Sequence, residues 1–330
     1  MRIEVTAFLL PHIGDEYSQC ADRFSYDEDT KSFAIADGVG NSLFPGDWAM
    51  SLCEDYVKHP DIFTEDSKLV RENELIKKWE KKRDERVANL NEDERFIFEM
   101  GLEKADFAAS TFVGISLGLN EWKCQAIGDS YLVVLNKFFE IIETVASMKG
   151  KEFDNFPEYF GSKKGQNNGE IITSKGDYED ITYFALMTDA LSDWFLSNKI
   201  KKEKRKELLS IESHQDYEKF INQERQSGDL KDDDTSMIVL KLEKDGVEDF
   251  SFVVKAIDKI EDFISQERDN TKETECIPDP RGEEIQSTDS IKKEIKTDCE
   301  RILKEGKVSK NKMWKIIQKL IEYIDYLLKQ

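Results

Sequence analysis

Apolar residues in the first three quarters of the chain follow strand-like and helix-like patterns in turn. Residues 1–10 alternate between apolar and polar side chains, which predicts a β-strand. Short apolar runs bounded by turn residues predict further strands at residues 24–26, 31–36, 110–119, 122–127, 131–135, 182–188 and 236–242. Helical spacing or dense charge predicts helices from Asp47 onward, within residues 62–106, from residue 191 and over residues 201–225. Residues 150–180 are rich in Gly, Asn, Lys and Ser, which predicts a surface loop region.

The pattern changes after residue 245. Residues 266–284 carry two prolines and Gly282 among charges, which predicts a linker. Residues 310–329 combine an apolar stripe with five lysines against two acids, which predicts a basic amphipathic helix. Such a helix either docks on its own protein or provides a surface for self-association or partner binding. We expect a domain over residues 1–245, a transition and linker over 246–284, and a helical C-terminal extension over 285–330.

Composition narrows the possible functions. The 330 residues carry a net charge of −21, so a nucleic-acid partner or a membrane-surface role is not expected. The five cysteines are scattered without a C-x-x-C pair, which indicates a reducing compartment. Neither a signal-peptide pattern nor an apolar run of membrane-spanning length is present in the sequence. We therefore expect a cytoplasmic protein.

The candidate catalytic and metal-binding residues are aspartates at the ends of predicted strands or in tight turns. Any one of them alone is typical of a turn or a helix cap. As an ordered set they can converge from separate strands, and carboxylate oxygens are the ligands that Mg²⁺ and Mn²⁺ prefer. The set comprises Asp22, Asp37, Asp129, Asp189 and Asp232.

These aspartates stand in sequence motifs whose order resembles that of the metal-dependent serine/threonine protein phosphatases of type 2C, with Trp194 as in a bacterial branch. The similarity spans residues 1–243. The corresponding residues are Asp22; Asp37-Gly38-Val39-Gly40; Ser110-Thr111; Gly128-Asp129-Ser130; Thr188-Asp189-Ala190; and Asp232-Asp233-Asp234-Thr235.

The resemblance implies an α+β fold, a four-layer α-β-β-α sandwich with two central, mostly antiparallel sheets. It also implies a centre of two Mn²⁺ or Mg²⁺ ions. Asp37 would bridge both ions, and the Gly38 carbonyl would bind the second. Asp189 and Asp232 would complete the first.

Further roles follow from the same resemblance. Asp22 would orient metal-bound water and is counted with Asp37 as catalytic. Asp129, with Asp189, would serve a weaker third ion. A metal-bridging water would then attack phosphorus on phosphoserine or phosphothreonine of a protein substrate, opposing a serine/threonine kinase.

The chain also departs from the type 2C pattern. Ala21 stands where the family has glutamate or glutamine, and Tyr17 where it has a phosphate-binding arginine. Arg23 could bind phosphate in place of that arginine. The alternative is that Arg23 is an exposed residue on a strand and has no role in the site. The histidines His12, His59 and His214 fall outside every motif.

Two hypotheses follow. The first is an active metal-dependent phosphatase, favoured by the intact aspartate set. The second is a catalytically weak, phosphatase-like binding or regulatory module that acts through its C-terminal helices, favoured by Ala21 and Tyr17. A third reading, a Ca²⁺-binding protein, lacks any loop of the D-x-D-x-D-G type.

Overall fold

The computed structural model describes residues 1–40, 42–60, 68–90, 107–150, 157–244 and 250–274. These residues contain thirteen strands and six helices. The strands are β1 (Arg2–Leu10), β2 (Arg23–Asp27), β3 (Ser32–Ala36), β4 (Ala109–Ser110), β5 (Phe112–Leu117), β6 (Trp122–Ile127), β7 (Tyr131–Leu135), β8 (Ile141–Val145), β9 (Phe160–Gly161), β10 (Ile172–Gly176), β11 (Tyr183–Met187), β12 (Thr235–Glu243) and β13 (Ser251–Ile257). The helices are α1 (Pro45–Lys58), α2 (Lys68–Ala88), α3 (Asp189–Leu196), α4 (Lys202–Leu209), α5 (His214–Ser227) and α6 (Ile260–Thr274).

Most of these strands form two sheets. The first has the order β13-β1-β12-β11-β7-β8, and the second has the order β10-β6-β5-β3-β2. All neighbours in both sheets are antiparallel except β1 and β13, which are parallel. A short β4–β9 pair stands apart. The expectation of two mostly antiparallel sheets is confirmed.

Apolar side chains join these sheets and their helices into four layers. Leu186 of the first sheet and Ile35 of the second belong to one buried cluster, so the sheets pack face to face. On the outer side of the first sheet, Trp194 of α3 and Tyr217 of α5 are buried. Trp48 of α1 covers the second sheet in the same way. Burying each such large side chain contributes roughly 1.5–3 kcal/mol. The predicted α-β-β-α sandwich is therefore confirmed.

Two local predictions are wrong. The charged segment 201–225 is not one helix but two, because the chain bends after α4 and restarts at Ser213. The Ser213 hydroxyl caps α5 by accepting a hydrogen bond from the Asp216 backbone N–H at 3.2 Å. The predicted loop region 150–180 contains β9 and β10. Strand β10 (ITSKG) is an edge strand with one large apolar residue, so its sequence carries little strand signal.

Regular structure continues past the predicted boundary at residue 245. Strand β13 pairs with β1, and α6 follows it directly; residues Met1–Asn270 form one compact unit. Residues 266–274, which we predicted to open a linker, belong to α6. The predicted helices beyond residue 284 and the rest of segment 62–106 lie outside the described residues. None of the described helices is long and apolar enough to cross a membrane.

Candidate metal centre

The register of the first sheet brings three acidic segments to one end. Met187, the last residue of β11, lies opposite Tyr131 at the start of β7 and opposite Met237, the third residue of β12. Asp129 precedes β7, Asp189 follows β11, and residues 232–234 precede β12. Because these neighbouring strands are antiparallel, all three segments lie at the same end of the sheet.

The second sheet contributes two more aspartates at a corresponding end. Arg23 at the start of β2 pairs with Ala36 at the end of β3, so Asp22 and Asp37 stand beside each other. The hydroxyl of Thr188, which follows β11 in the first sheet, donates a hydrogen bond to Asp22 Oδ2 at 2.9 Å. This bond joins the acidic ends of the two sheets.

The backbone at Asp37 is held by Ser110 and Thr111, which directly precede β5. Its carbonyl accepts hydrogen bonds from the Ser110 hydroxyl at 2.6 Å and from the Thr111 backbone N–H at 2.9 Å. Gly38 bridges to Ser110, and a Cβ atom at Gly38 would lie 2.6 Å from Cβ of Pro45. Glycine is therefore required after Asp37 by the close approach of α1.

The turn that carries Asp129 is tied to the same region. Gly128 has a φ of +94°, a conformation that favours glycine, and its N–H donates to the Ser147 hydroxyl at 2.8 Å. The hydroxyl groups of Thr111 and Ser130 are 2.7 Å apart and hydrogen bonded. The side chain of Asp129 is buried in this fixed turn.

Burial and mutual repulsion disfavour negative charge on these carboxyl groups. Loss of hydration raises the pKa of the Asp22 carboxyl well above its usual value, and the charges of Asp234 and Asp189 raise it further. The pKa of Asp37 is raised in the same way, by burial and then by Asp189 and Asp22. Burial, with the charge of Asp233, raises the pKa of Asp189 to about 6. The cluster therefore calls for compensating positive charge.

The donor set fits hydrated divalent cations. Oδ1 of Asp22 is buried and accepts no hydrogen bond from the described residues, and hard cations bind carboxylate oxygen. Within the described ranges, no three histidine, cysteine, aspartate or glutamate side chains are placed as ligands of a single ion. Mg²⁺ and Mn²⁺ keep several waters when bound and can be held by one or two carboxylates each. Asp22, Asp37, Asp129 and Asp189 are the residues that could hold them.

The three consecutive aspartates before β12 make three different sets of contacts. Asp232 accepts a hydrogen bond from the Ile13 backbone N–H at 3.1 Å, and its other oxygen lies 3.3 Å from Nε2 of His12. Its carboxylate therefore contacts the loop after β1, and the assignment of Asp232 as a metal ligand stays a prediction. Asp234 accepts from the backbone N–H groups of His12 at 2.9 Å and of Ala21 at 2.7 Å. Asp234 thus positions the segment that carries Asp22.

Asp233 is the acidic residue that the sequence motifs did not single out. Its negative charge acts on both Asp37 and Asp189, and its Oδ2 lies 2.7 Å from Nζ of Lys231. Residues 232–234 lie in a bend before β12, and their three carboxylates make different contacts, so they do not all face one site. Nothing in the sequence distinguishes Asp233 from its neighbours.

Arg23 and Tyr17 make contacts that the sequence did not predict. Arg23 is buried, not an exposed strand residue, and its Nη1 donates to the Cys20 carbonyl at 2.7 Å and to the Asp22 carbonyl at 2.6 Å. It holds the backbone of Asp22, and phosphate binding by Arg23 stays a prediction. The Tyr17 hydroxyl lies 3.0 Å from Nε2 of His214, whose Nδ1 lies 2.7 Å from Oδ2 of Asp258. Tyr17 is thus hydrogen bonded to α5.

Comparisons with known proteins give fold-level likenesses only. No family model matches the chain, and no curated protein matches it. A serine/threonine phosphatase from Staphylococcus aureus is similar at 13% identity, over 72% of this chain and 94% of that one, with a TM-score of 0.47. PppA from Pseudomonas aeruginosa is similar at 13% identity, over 73% of this chain and 98% of that one, with a TM-score of 0.48. The photosystem II phosphatase PBCP is similar at 15% identity, over 73% of this chain and 99% of that one, with a TM-score of 0.44.

Proposed function

We propose that this protein is a metal-dependent phosphatase that hydrolyses phosphoserine and phosphothreonine on proteins. The observation that carries the proposal is the meeting of buried carboxylates from both sheets at one end of the sandwich, joined by the Thr188–Asp22 hydrogen bond. The proposed setting is the cytoplasm, where the enzyme would oppose a serine/threonine kinase.

The proposed chemistry divides between bound ions and protein groups. Two Mn²⁺ or Mg²⁺ ions, with a weaker third, would supply an activated water nucleophile and neutralise charge on the phosphoryl oxygens. Asp37, the Gly38 carbonyl and Asp189 would hold the two main ions, and Asp129 would hold the third with Asp189. Asp22, fixed by Thr188, would accept a hydrogen bond from the attacking water and orient it.

A second candidate is a phosphatase-like module that turns over weakly and acts by binding. Two observations favour it. Ala21 contributes only its backbone N–H, to Asp234, and the Tyr17 hydroxyl is bonded to His214. In this case the C-terminal helix predicted over residues 310–329 would provide the binding surface, for a partner or for self-association. The net charge of −21 argues against nucleic acid or anionic membrane as that partner.

Hydrolysis of p-nitrophenyl phosphate in saturating Mn²⁺ distinguishes the two candidates. We expect multiple turnovers, and we expect a phosphoserine peptide to be hydrolysed in preference to its phosphotyrosine counterpart. The matched control is Asp37→Asn, which removes one charge from the cluster. Absence of turnover on both substrates, in protein that binds Mn²⁺, would contradict the phosphatase assignment and favour the binding module.

A further inference from the structure

Lys231 stands at the acidic end of the sandwich. Lys231 lies between buried Leu230 and the three aspartates that precede β12. Its Nζ is 2.7 Å from Oδ2 of Asp233, yet its side chain is 55% exposed. The ammonium group is therefore both paired with the cluster and open to solvent.

The position of Lys231 in the chain places it at the acidic end. It directly precedes residues 232–234, which come before β12 at the end of the first sheet where Asp129 and Asp189 also lie. Burial lowers the pKa of Lys231, but hydrogen bonding and nearby negative charges raise it above its ordinary value. The negative charge of Asp37, which follows β3 of the second sheet, also favours the charged form of Lys231 and contributes to raising its pKa.

Two nearby arginines are buried and donate hydrogen bonds to backbone carbonyls. Arg23 donates to the carbonyls of Cys20 and Asp22. Arg225 donates to the carbonyls of Pro11 and Asp233, and its Nε also lies 3.6 Å from Oδ1 of Asp232. Lys231, in contrast, is held by one exposed ion pair, which contributes little and is readily exchanged.

We infer that Lys231 is a phosphate-binding residue, whose ammonium leaves Asp233 to contact the phosphoryl oxygens of the substrate. This inference rests on the proposed function. A phosphate monoester is negatively charged, so the aspartates at this end of the sandwich repel it. A lysine that can move toward the phosphate offsets the part of this repulsion that bound metal ions do not remove. A lysine ammonium on a flexible four-carbon chain can move between two anions in a way that a fixed guanidinium cannot.

The test measures orthophosphate binding by calorimetry in saturating Mg²⁺, and p-nitrophenyl phosphate kinetics in parallel. For Lys231→Ala we expect the phosphate dissociation constant and KM each to rise about tenfold or more, as for loss of a charge-assisted hydrogen bond. We expect kcat to change less than KM. Lys231→Arg should restore most of the binding. Lys137→Ala removes the same charge just after β7, at the opposite end of that strand, and serves as the control.

The outcomes separate this inference from the proposed function. If Lys231→Ala binds phosphate as the wild type does while turnover is normal, the inference is wrong and the phosphatase assignment stands. If the wild type binds phosphate through Lys231 without turnover, the inference stands and the phosphatase assignment fails. If Lys231→Ala only tightens Mg²⁺ binding, the lysine is a counter-charge to the aspartates and the inference is overturned.

Discussion

The hydroxyl of Thr188 donates a 2.9 Å hydrogen bond to Oδ2 of fully buried Asp22, and the Thr188 hydroxyl oxygen accepts a hydrogen bond from the Ser236 backbone N–H at 3.0 Å. Thr188 follows β11 in the first sheet, and Asp22 precedes β2 in the second. This one side chain therefore joins the two acidic ends, so that carboxylates from both sheets meet at one end of the sandwich.

Replacing Thr188 tests the importance of this link. Thr188→Val keeps the shape of the side chain but leaves Asp22 and the Ser236 N–H without a partner, so we expect a loss of about 1–3 kcal/mol in the free energy of unfolding. Urea denaturation followed by circular dichroism measures it. Thr188→Ser keeps the hydroxyl and is the matched control. An unchanged midpoint for Thr188→Val would show that the hydrogen bond carries no stability.

The two neighbouring aspartates Asp232 and Asp233 should differ in their effect on metal binding. The charge of Asp233 acts on Asp37 and Asp189, whereas Asp232 contacts His12 and the Ile13 N–H. We expect Asp233→Asn to weaken Mn²⁺ binding more than Asp232→Asn does, measured by calorimetry. The reverse order would support the ligand role that the sequence motif predicts for Asp232.

Metal-free protein should lose stability as pH rises. The folded-state pKa of Asp189 is raised to about 6, above the usual value of about 3.9, so the folded state binds protons more tightly than the unfolded state. The stabilisation is present below about pH 4 and is lost as pH rises through about 6. Urea midpoints of chelated protein at pH 4.5, 5.5, 6.5 and 7.5 measure this. Asp189→Asn should flatten the decline, and a wild-type midpoint that rises over this interval contradicts the account.

The domain boundary can be tested with two truncations. The sequence predicts that a core ending near residue 245 folds and keeps basal activity. The structure adds β13 beside β1, and Asp258 accepts a 3.0 Å hydrogen bond from the Leu9 N–H. We therefore expect a chain ending at residue 274 to keep activity, and one ending at residue 244 to unfold at lower urea concentration.

Equal stability of the two truncated chains would restore the boundary at residue 245. Loss of activity in the longer one would show that residues 275–330 belong to the catalytic fold. If those residues are dispensable for folding, as we expect, their removal should change oligomeric state or protein-substrate choice, which light scattering and phosphopeptide assays measure.

Strand assignments from sequence succeeded where strands are buried, because apolar runs such as Tyr131–Leu135 have no solvated face and stand out from their turns. They missed three of the four edge strands of the two sheets, β8, β10 and β13. Strand β10 has mostly polar side chains, and β13 lies shortly before a segment whose prolines suggested a linker. Edge pairing depends on a neighbouring strand distant in sequence, which local pattern does not reveal.

In the candidate site, too, some features could be predicted from the sequence and others could not. Asp22, Asp37, Asp129 and Asp189 were identifiable because each ends or precedes an apolar strand, and the register brings such ends together. The order of contacts in 232–234 was not identifiable, because it depends on the direction of each side chain in one short turn. The burial of Arg23 against the Cys20 carbonyl likewise depends on tertiary packing.

The most direct test of the central claim is turnover of p-nitrophenyl phosphate after metal removal and return. We expect chelated protein to be inactive, Mn²⁺ to restore full activity, and calorimetry to show two ions bound per chain. Asp37→Asn and Asp189→Asn should stay folded and lose nearly all turnover, because each removes a charge from the site. Full activity in chelator, or wild-type kcat in either variant, would contradict a phosphatase that works through ions held by these aspartates.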